Sequence, residues 1–197
     1  DISSACTGFV FALSTAHAYI SSGLYKTALV VGADLLSKLV DWTDRSTCVL
    51  FGDGAGAAVL KAEETGIIDM MMGADGTKGD VLACTSRTVG NFLTGTKPEL
   101  GFMTMDGQEV FKFAVRKVPE SVMELLQLTG TKKEDIKYYV LHQANERIIE
   151  AAARRLKQPI EKFPMNVDRC ANTSSATVPI LLDEMNQKGM LNRGDKI

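Results

Sequence analysis

Four cysteines and two histidines are the side chains of this 197-residue sequence best suited to nucleophilic and acid-base work. Cys6 stands in SACTGF, where the chain turns into an apolar helix and Gly8 eases close packing of the turn. A thiol there meets a helix N-terminus, whose free N–H groups and dipole favour thiolate over thiol. Taken alone, it reads more readily as a small buried hydrophobe, the commoner role of a free cysteine. Cys48, Cys84 and Cys170 keep that plain reading. His142 follows the apolar run YYVL and precedes QANER. It is expected at the C-terminal end of a strand, where α/β proteins commonly carry functional groups. His17 falls inside the first helix, so His142 is by elimination the base for Cys-His chemistry. Asn172, in CANTSSA, precedes a helix that Thr173 or Ser174 is placed to cap, and by itself is a turn or capping residue. The three residues are informative only as a set.

Positioning them requires alternating helices and strands, and the hydrophobic pattern supplies both. Gly8 to Ser22 is apolar on most faces, which predicts a deeply buried helix capped by Gly23. Ala28 to Ala33 (ALVVGA) reads as a fully buried strand, and Cys48 to Leu60 as two short apolar runs around a glycine-rich crossing. From Gly73 to Gly107 the pattern weakens to irregular loop with one short strand. Gln108 to Leu128 is helical, Lys137 to Leu141 strand-like, Asn145 to Leu156 a helix with a basic end, and Met165 to Val167 a short strand. Ser174 to Lys188 is an amphipathic helix closed by Gly189. A strand, a polar candidate residue and a helix occur twice in that order, which suggests two similar halves around one site.

Composition sets the outer limits. With 45% hydrophobic and 23% charged residues and a formal net charge of -2, the chain has a core-forming make-up and no global field to recruit nucleic acid or a membrane surface. The cysteines form no C-x-x-C pair, so neither a zinc site nor a disulfide framework is expected, and reduced thiols fit a cytoplasmic protein. Every apolar run is broken well short of a membrane span. Asp1 to Ala5 reads as the tail of a strand and Gly194 to Ile197 as a turn leading into another, so the chain is expected to be incomplete at both ends.

The segments DISSACTGF, TDRSTCVLFGDGAGAAVL, DGQEVFKFAV, LHQANERI and NTSSATVP occur in the order and approximate spacing of β-ketoacyl-acyl-carrier-protein synthase III, so the sequence resembles that family. The resemblance implies a thiolase-like α/β fold, layered αβαβα with mixed sheets from two similar halves, divided here as 1–64 and 65–197. It implies that Cys6 is the acylated nucleophile and that His142 and Asn172 serve the condensation of an acyl-CoA primer with malonyl-acyl-carrier protein. The Cys-His-Asn set favours initiation over elongation, because elongating synthases place a second histidine where Asn172 stands.

By the same resemblance Asn145 bonds the pantetheine arm, Arg45 lies against the CoA adenine and Phe111 lines the tunnel near Cys6. Lys112, Arg147, Arg154 and Arg155 form a docking patch for the acidic carrier protein, although a solvated basic helix end explains Arg154 and Arg155 about as well. FGDGAGA lacks a G-K-[ST] ending and reads as close backbone packing, not as a phosphate cradle. CoA and phosphopantetheine enter as parts of substrates, no cofactor or metal is implied, and a homodimer is. Ala171 stands where the family usually has glycine, and Cys170 where a larger side chain is common. The resemblance also implies a preceding segment with more CoA contacts and a following glycine-rich loop that supplies one oxyanion N–H. A chain of these residues alone is therefore expected to be inactive. The alternatives are a Cys-His-Asn enzyme of secondary metabolism and a non-catalytic pairing subunit.

Overall fold

The computed structural model describes residues 1–84, 90–97 and 101–197. Helix α1 (Gly8–Ser21) ends where Gly23, at φ +78°, donates its N–H to Ile20 O, while Leu24 N reaches back to Tyr19 O. Strand β1 (Thr27–Asp34) then pairs antiparallel with β2 (Gly54–Lys61), with Gly32 opposite Gly56 and Asp34 opposite Gly54. One face of this ribbon carries Val30 and the glycines and lies against residues 173–180. A Cβ on Gly32 would stand 2.6 Å from Ser175 O, and one on Gly56 2.9 Å from Pro179 Cβ. Glycine-rich FGDGAGA is thus a close backbone contact, as its composition suggests.

The other face is open. Leu29 is 67% and Val59 69% exposed, so β1 is not the fully buried strand its apolar run predicts. Burial alternates along it because only one face has a covering layer. Helix α1 departs from expectation in the same way, with only Gly8 and Phe9 buried. Its apolar residues surround the helix, whereas the ribbon and the Ser174 turn meet one side of it.

Beyond β2 the chain is irregular as expected, with short strands β3 (Leu82–Cys84) and β4 (Met103–Met105) pairing antiparallel. Helix α2 (Gly107–Leu128) is capped by Asp106, whose carboxylate accepts from Gln108 N and Glu109 N. Helix α3 (Glu146–Leu156) packs on α2, and Arg155 Nη1 donates to Val115 O at 2.8 Å. Ile149, Ala153 and Leu156 close over Tyr139 and Phe163, whose rings stack 4.8 Å apart. Full burial of each large apolar side chain here contributes about 1.5–3 kcal/mol.

Lys137–Leu141 forms no ladder among the described residues. Ile136 makes an isolated parallel bridge with Lys196, and Tyr139 N donates to Lys162 O, so the pairing groups of this segment go to loops. Met165–Val167 is not a strand either. Val167 opens a short helix α4 (Val167–Cys170), because Asn166 N is captured by Gln143 Oε1. Helix α5 (Thr177–Gln187) follows a 3-10 turn, Ser174–Ala176, and ends with Gly189 at φ +67°. No helix among the described residues is long and apolar enough to cross a membrane.

Candidate active site

Cys6 occupies a 3-10 turn, Ala5–Thr7, that runs directly into α1. The turn is closed by Thr7, whose N–H and hydroxyl both donate to Ser4 O. It packs against the second 3-10 turn, Ser174–Ala176, which brings the Cys6 thiol to the Ser174 hydroxyl and within the field of Asp34. Asp34 Oδ2 in turn accepts from Ser175 N and Oγ, at 3.0 and 2.6 Å. Cys6, Asp34 and Ser174 share a cleft of about 1050 Å³ with Leu82, Cys84 and Met103.

A helix terminus alone would favour thiolate, and the structure reverses that expectation. Burial raises the Cys6 thiol above its ordinary value of 9.0. The Ser174 hydrogen bond acts against that, and the negative charge of Asp34 adds to it. Helix α1 proper begins at Gly8, beyond the cysteine.

Asn172 is held by its backbone. Asn172 N donates to Leu50 O and its carbonyl accepts from Gly52 N, each at 3.0 Å, in a parallel bridge with Phe51. Its side chain is 6% exposed, and Oδ1 accepts from Ser174 N at 2.9 Å. The carboxamide oxygen does the capping work read from the sequence, in place of Thr173 or Ser174 side chains. Nδ2 then has no acceptor among the described residues and remains a donor. His142 lies in a loop before α3, with Nδ1 2.6 Å from Thr177 Oγ1. Burial lowers its pKa from 6.5 to about 4, so the ring is neutral at physiological pH. Nε2 has no protein partner among the described residues.

Ser174 connects all three. Its N–H holds Asn172, its hydroxyl meets Cys6, and its carbonyl lies 3.2 Å from Thr177 Oγ1, the same oxygen that meets His142. The structure therefore gathers Cys6, Asn172 and His142 around the single segment Asn172–Thr177.

The backbone is strained there. Ala5, Ala171 and Ser174 have φ of +44°, +59° and +53°, which costs L-residues on the order of 1–3 kcal/mol each. Ala171 combines φ +59° with ψ -169°, a combination essentially reserved for glycine. Ala171→Gly is accordingly expected to raise stability by about 1 kcal/mol, read as a higher urea midpoint at unchanged m-value.

Sequence reasoning missed Gln143. It is fully buried, donates Nε2 to Leu141 O and accepts from Asn166 N, and thereby fixes the loop that carries His142. Asn166 continues to Glu184, which also pairs with Arg169. The available signal was a polar residue set between His142 and the apolar core of α3.

The remaining predicted positions separate. Asn145 caps α3, with Oδ1 accepting from Arg147 N, and its Nδ2 stays available. Arg45 is exposed and makes no ion pair among the described residues, since Asp41 and Asp44 bond Thr43, Ser46 and Thr47 instead. Phe111 is 37% exposed on α2. Lys112 pairs with Glu109 and Arg154 with Glu150, while Arg147 is exposed. Arg155 ties α3 to α2, so part of its donor capacity is structural.

The His142 shift predicts acid sensitivity. Its folded pKa lies below the unfolded value, so the unfolded chain binds the extra proton between pH 6.5 and 4. The stability it contributes is complete above pH 6.5 and is lost as pH falls toward 4, by about 3 kcal/mol in all. Urea titrations across that range should show a steeper loss for the wild type than for His142→Gln.

Residues 1–76 match the 3-oxoacyl-[acyl-carrier-protein] synthase III family, and residues 126–197 match its C-terminal domain. The β-ketoacyl-[acyl-carrier-protein] synthase III of Clostridium acetobutylicum is 51% identical over 100% of this chain and 61% of its own length. The synthase III structure from Pseudomonas aeruginosa superposes with TM-score 0.92 at 37% identity, covering 99% of this chain and 61% of that one. The one from Aquifex aeolicus gives 0.88 at 43%, covering 99% and 60%. This chain thus spans about 61% of the length of the curated relatives it matches, and its fold is thiolase-like α/β. With both domain patterns, whole-chain identity near one half and the superposed structures in agreement, the chain belongs to the 3-oxoacyl-[acyl-carrier-protein] synthase III family.

Proposed function

We propose that the protein carrying this chain is a condensing acyltransferase that joins an acyl-CoA primer to malonyl-acyl-carrier protein and so starts a fatty-acid chain. The Cys6 sulfur attacks the primer thioester, the new S–C bond forms and CoA leaves as its thiol. Malonyl thioester then enters, and His142 Nε2–H with Asn172 Nδ2–H donate to its carbonyl oxygen as carbon dioxide departs. The resulting carbanion attacks the acyl-cysteine, forms the C–C bond and releases Cys6.

The observation that carries this reading is the state of the two donors. Asn172 has its acceptor occupied by Ser174 N–H, His142 is buried and neutral, and both adjoin the turn that meets Cys6. Neutral donors fixed before reaction suit charge that develops on an enolate oxygen. In the same reading the chain divides into halves at 1–64 and 65–197. Arg45 and Asn145 meet the CoA and pantetheine portions, Phe111 lines the tunnel near Cys6, and Lys112, Arg147, Arg154 and Arg155 receive the acidic carrier, Arg155 through the N–H groups it does not give to Val115. A cytoplasmic homodimer is the working form.

The test is a product assay on the full-length protein with acyl-CoA and malonyl-acyl-carrier protein. A β-ketoacyl-carrier product with release of carbon dioxide is the expected result. Acyl transfer to an alcohol or amine acceptor without decarboxylation would contradict it.

A further inference from the structure

A single hydroxyl proton decides which nitrogen of His142 can donate. Thr177 Oγ1 lies 2.6 Å from His142 Nδ1 and 3.2 Å from Ser174 O, and has one proton to give. Toward oxygen, hydroxyl donors make bonds of about 2.5–3.0 Å and N–H donors bonds of about 2.7–3.2 Å. The 2.6 Å contact fits the threonine hydroxyl as donor to the ring, and the 3.2 Å contact lies outside the hydroxyl range. With Nδ1 accepting, the ring proton of the neutral imidazole must sit on Nε2, the nitrogen without a protein partner among the described residues. Thr177 is itself 3% exposed at the first position of α5, so water does not readily replace its hydroxyl.

We propose that Thr177 is the positioning residue that sets the His142 tautomer, donating to Nδ1 so that Nε2 carries the proton toward the substrate. It touches no reacting atom and acts only through the imidazole. The consequence for turnover rests on the proposed condensation, whereas the tautomer itself does not. Sequence spacing gives no hint of the pairing, because the residues are 35 positions apart.

The experiment is nitrogen-15 NMR of the histidine-labelled protein, with the His142 signals identified by their loss in His142→Gln. Wild type is expected to show an unprotonated Nδ1 and a protonated Nε2. In Thr177→Val, close in shape but without the hydroxyl, the Nδ1–H form should rise at least tenfold relative to Nε2–H. Condensation should fall by roughly a hundredfold, the scale of losing one such donor, while acylation of Cys6 changes less than threefold. Thr177→Ser should restore both the spectrum and the rate. A wild-type proton on Nδ1, or an unchanged tautomer ratio in a folded Thr177→Val, overturns the assignment. If Thr177→Val does not fold, the wild-type and Thr177→Ser spectra decide it. The spectra need no turnover, so a protein without condensing activity would defeat the proposed function while the ring nitrogens still report which of them holds the proton.

Discussion

Cys6→Ala is expected to abolish the acyl adduct with acyl-CoA that the proposed function requires, and with it all condensation. In that function the thiol contributes the bond that holds the acyl group. Ser174 carries a hydroxyl that hydrogen-bonds the thiol, but a hydroxyl is a far weaker nucleophile without a base beside it. His142, whose pKa burial lowers to about 4, is too weak a base to supply one. Because burial holds the thiol protonated, the acylation rate should climb with pH through and beyond the ordinary thiol value of 9.0. Intact mass with peptide mapping reads both effects. An adduct on Cys48, Cys84 or Cys170 that survives in Cys6→Ala would contradict the assignment.

The second large effect separates the two chemical steps. His142→Ala and Asn172→Ala should each reduce condensation by about a hundredfold, roughly 3 kcal/mol in the transition state, and leave acylation of Cys6 within a few-fold of wild type. Combined, they should cost less than the product of the single losses, because in the proposed mechanism both donors serve the same oxygen. Single-turnover acylation and steady-state product formation, measured on the same preparations, resolve the steps. Loss of acylation in Asn172→Ala would instead mean that the carboxamide chiefly holds the Ser174 turn in place, through the 2.9 Å bond to its N–H.

Part of this site was legible in the residues. Local signals located α2, α3 and α5, since Asp106 and Asn145 are good caps, Gly189 a good terminator, and the apolar spacing between them is helical. The pairing of Cys6, His142 and Asn172 came from motif order, because no local rule connects positions so far apart. Long-range packing was the part that stayed hidden. The thiolate expectation for Cys6 runs against burial and, after it, the charge of Asp34, neither of which SACTGF encodes. A strand at KYYVL was expected from its β-branched and aromatic residues, yet strand formation needs a partner, and among the described residues the adjoining Ile136 bridges only Lys196. The buried reading of α1 and β1 failed because an apolar run states what would gain from cover and not what covers it. Positive φ at Ser174 and Ala5 is likewise imposed by the meeting of two turns.

The central claim is that His142 Nε2 and Asn172 Nδ2 aim at one point beside the Cys6 sulfur. It is tested most directly by a crystal structure of the full-length protein with an unreactive malonyl-thioester analogue. Both nitrogens should lie about 2.7–3.1 Å from the same thioester oxygen, with the sulfur facing the adjacent carbon. Nitrogens that contact different groups, or a ligand carbonyl turned away from residue 6, would contradict it.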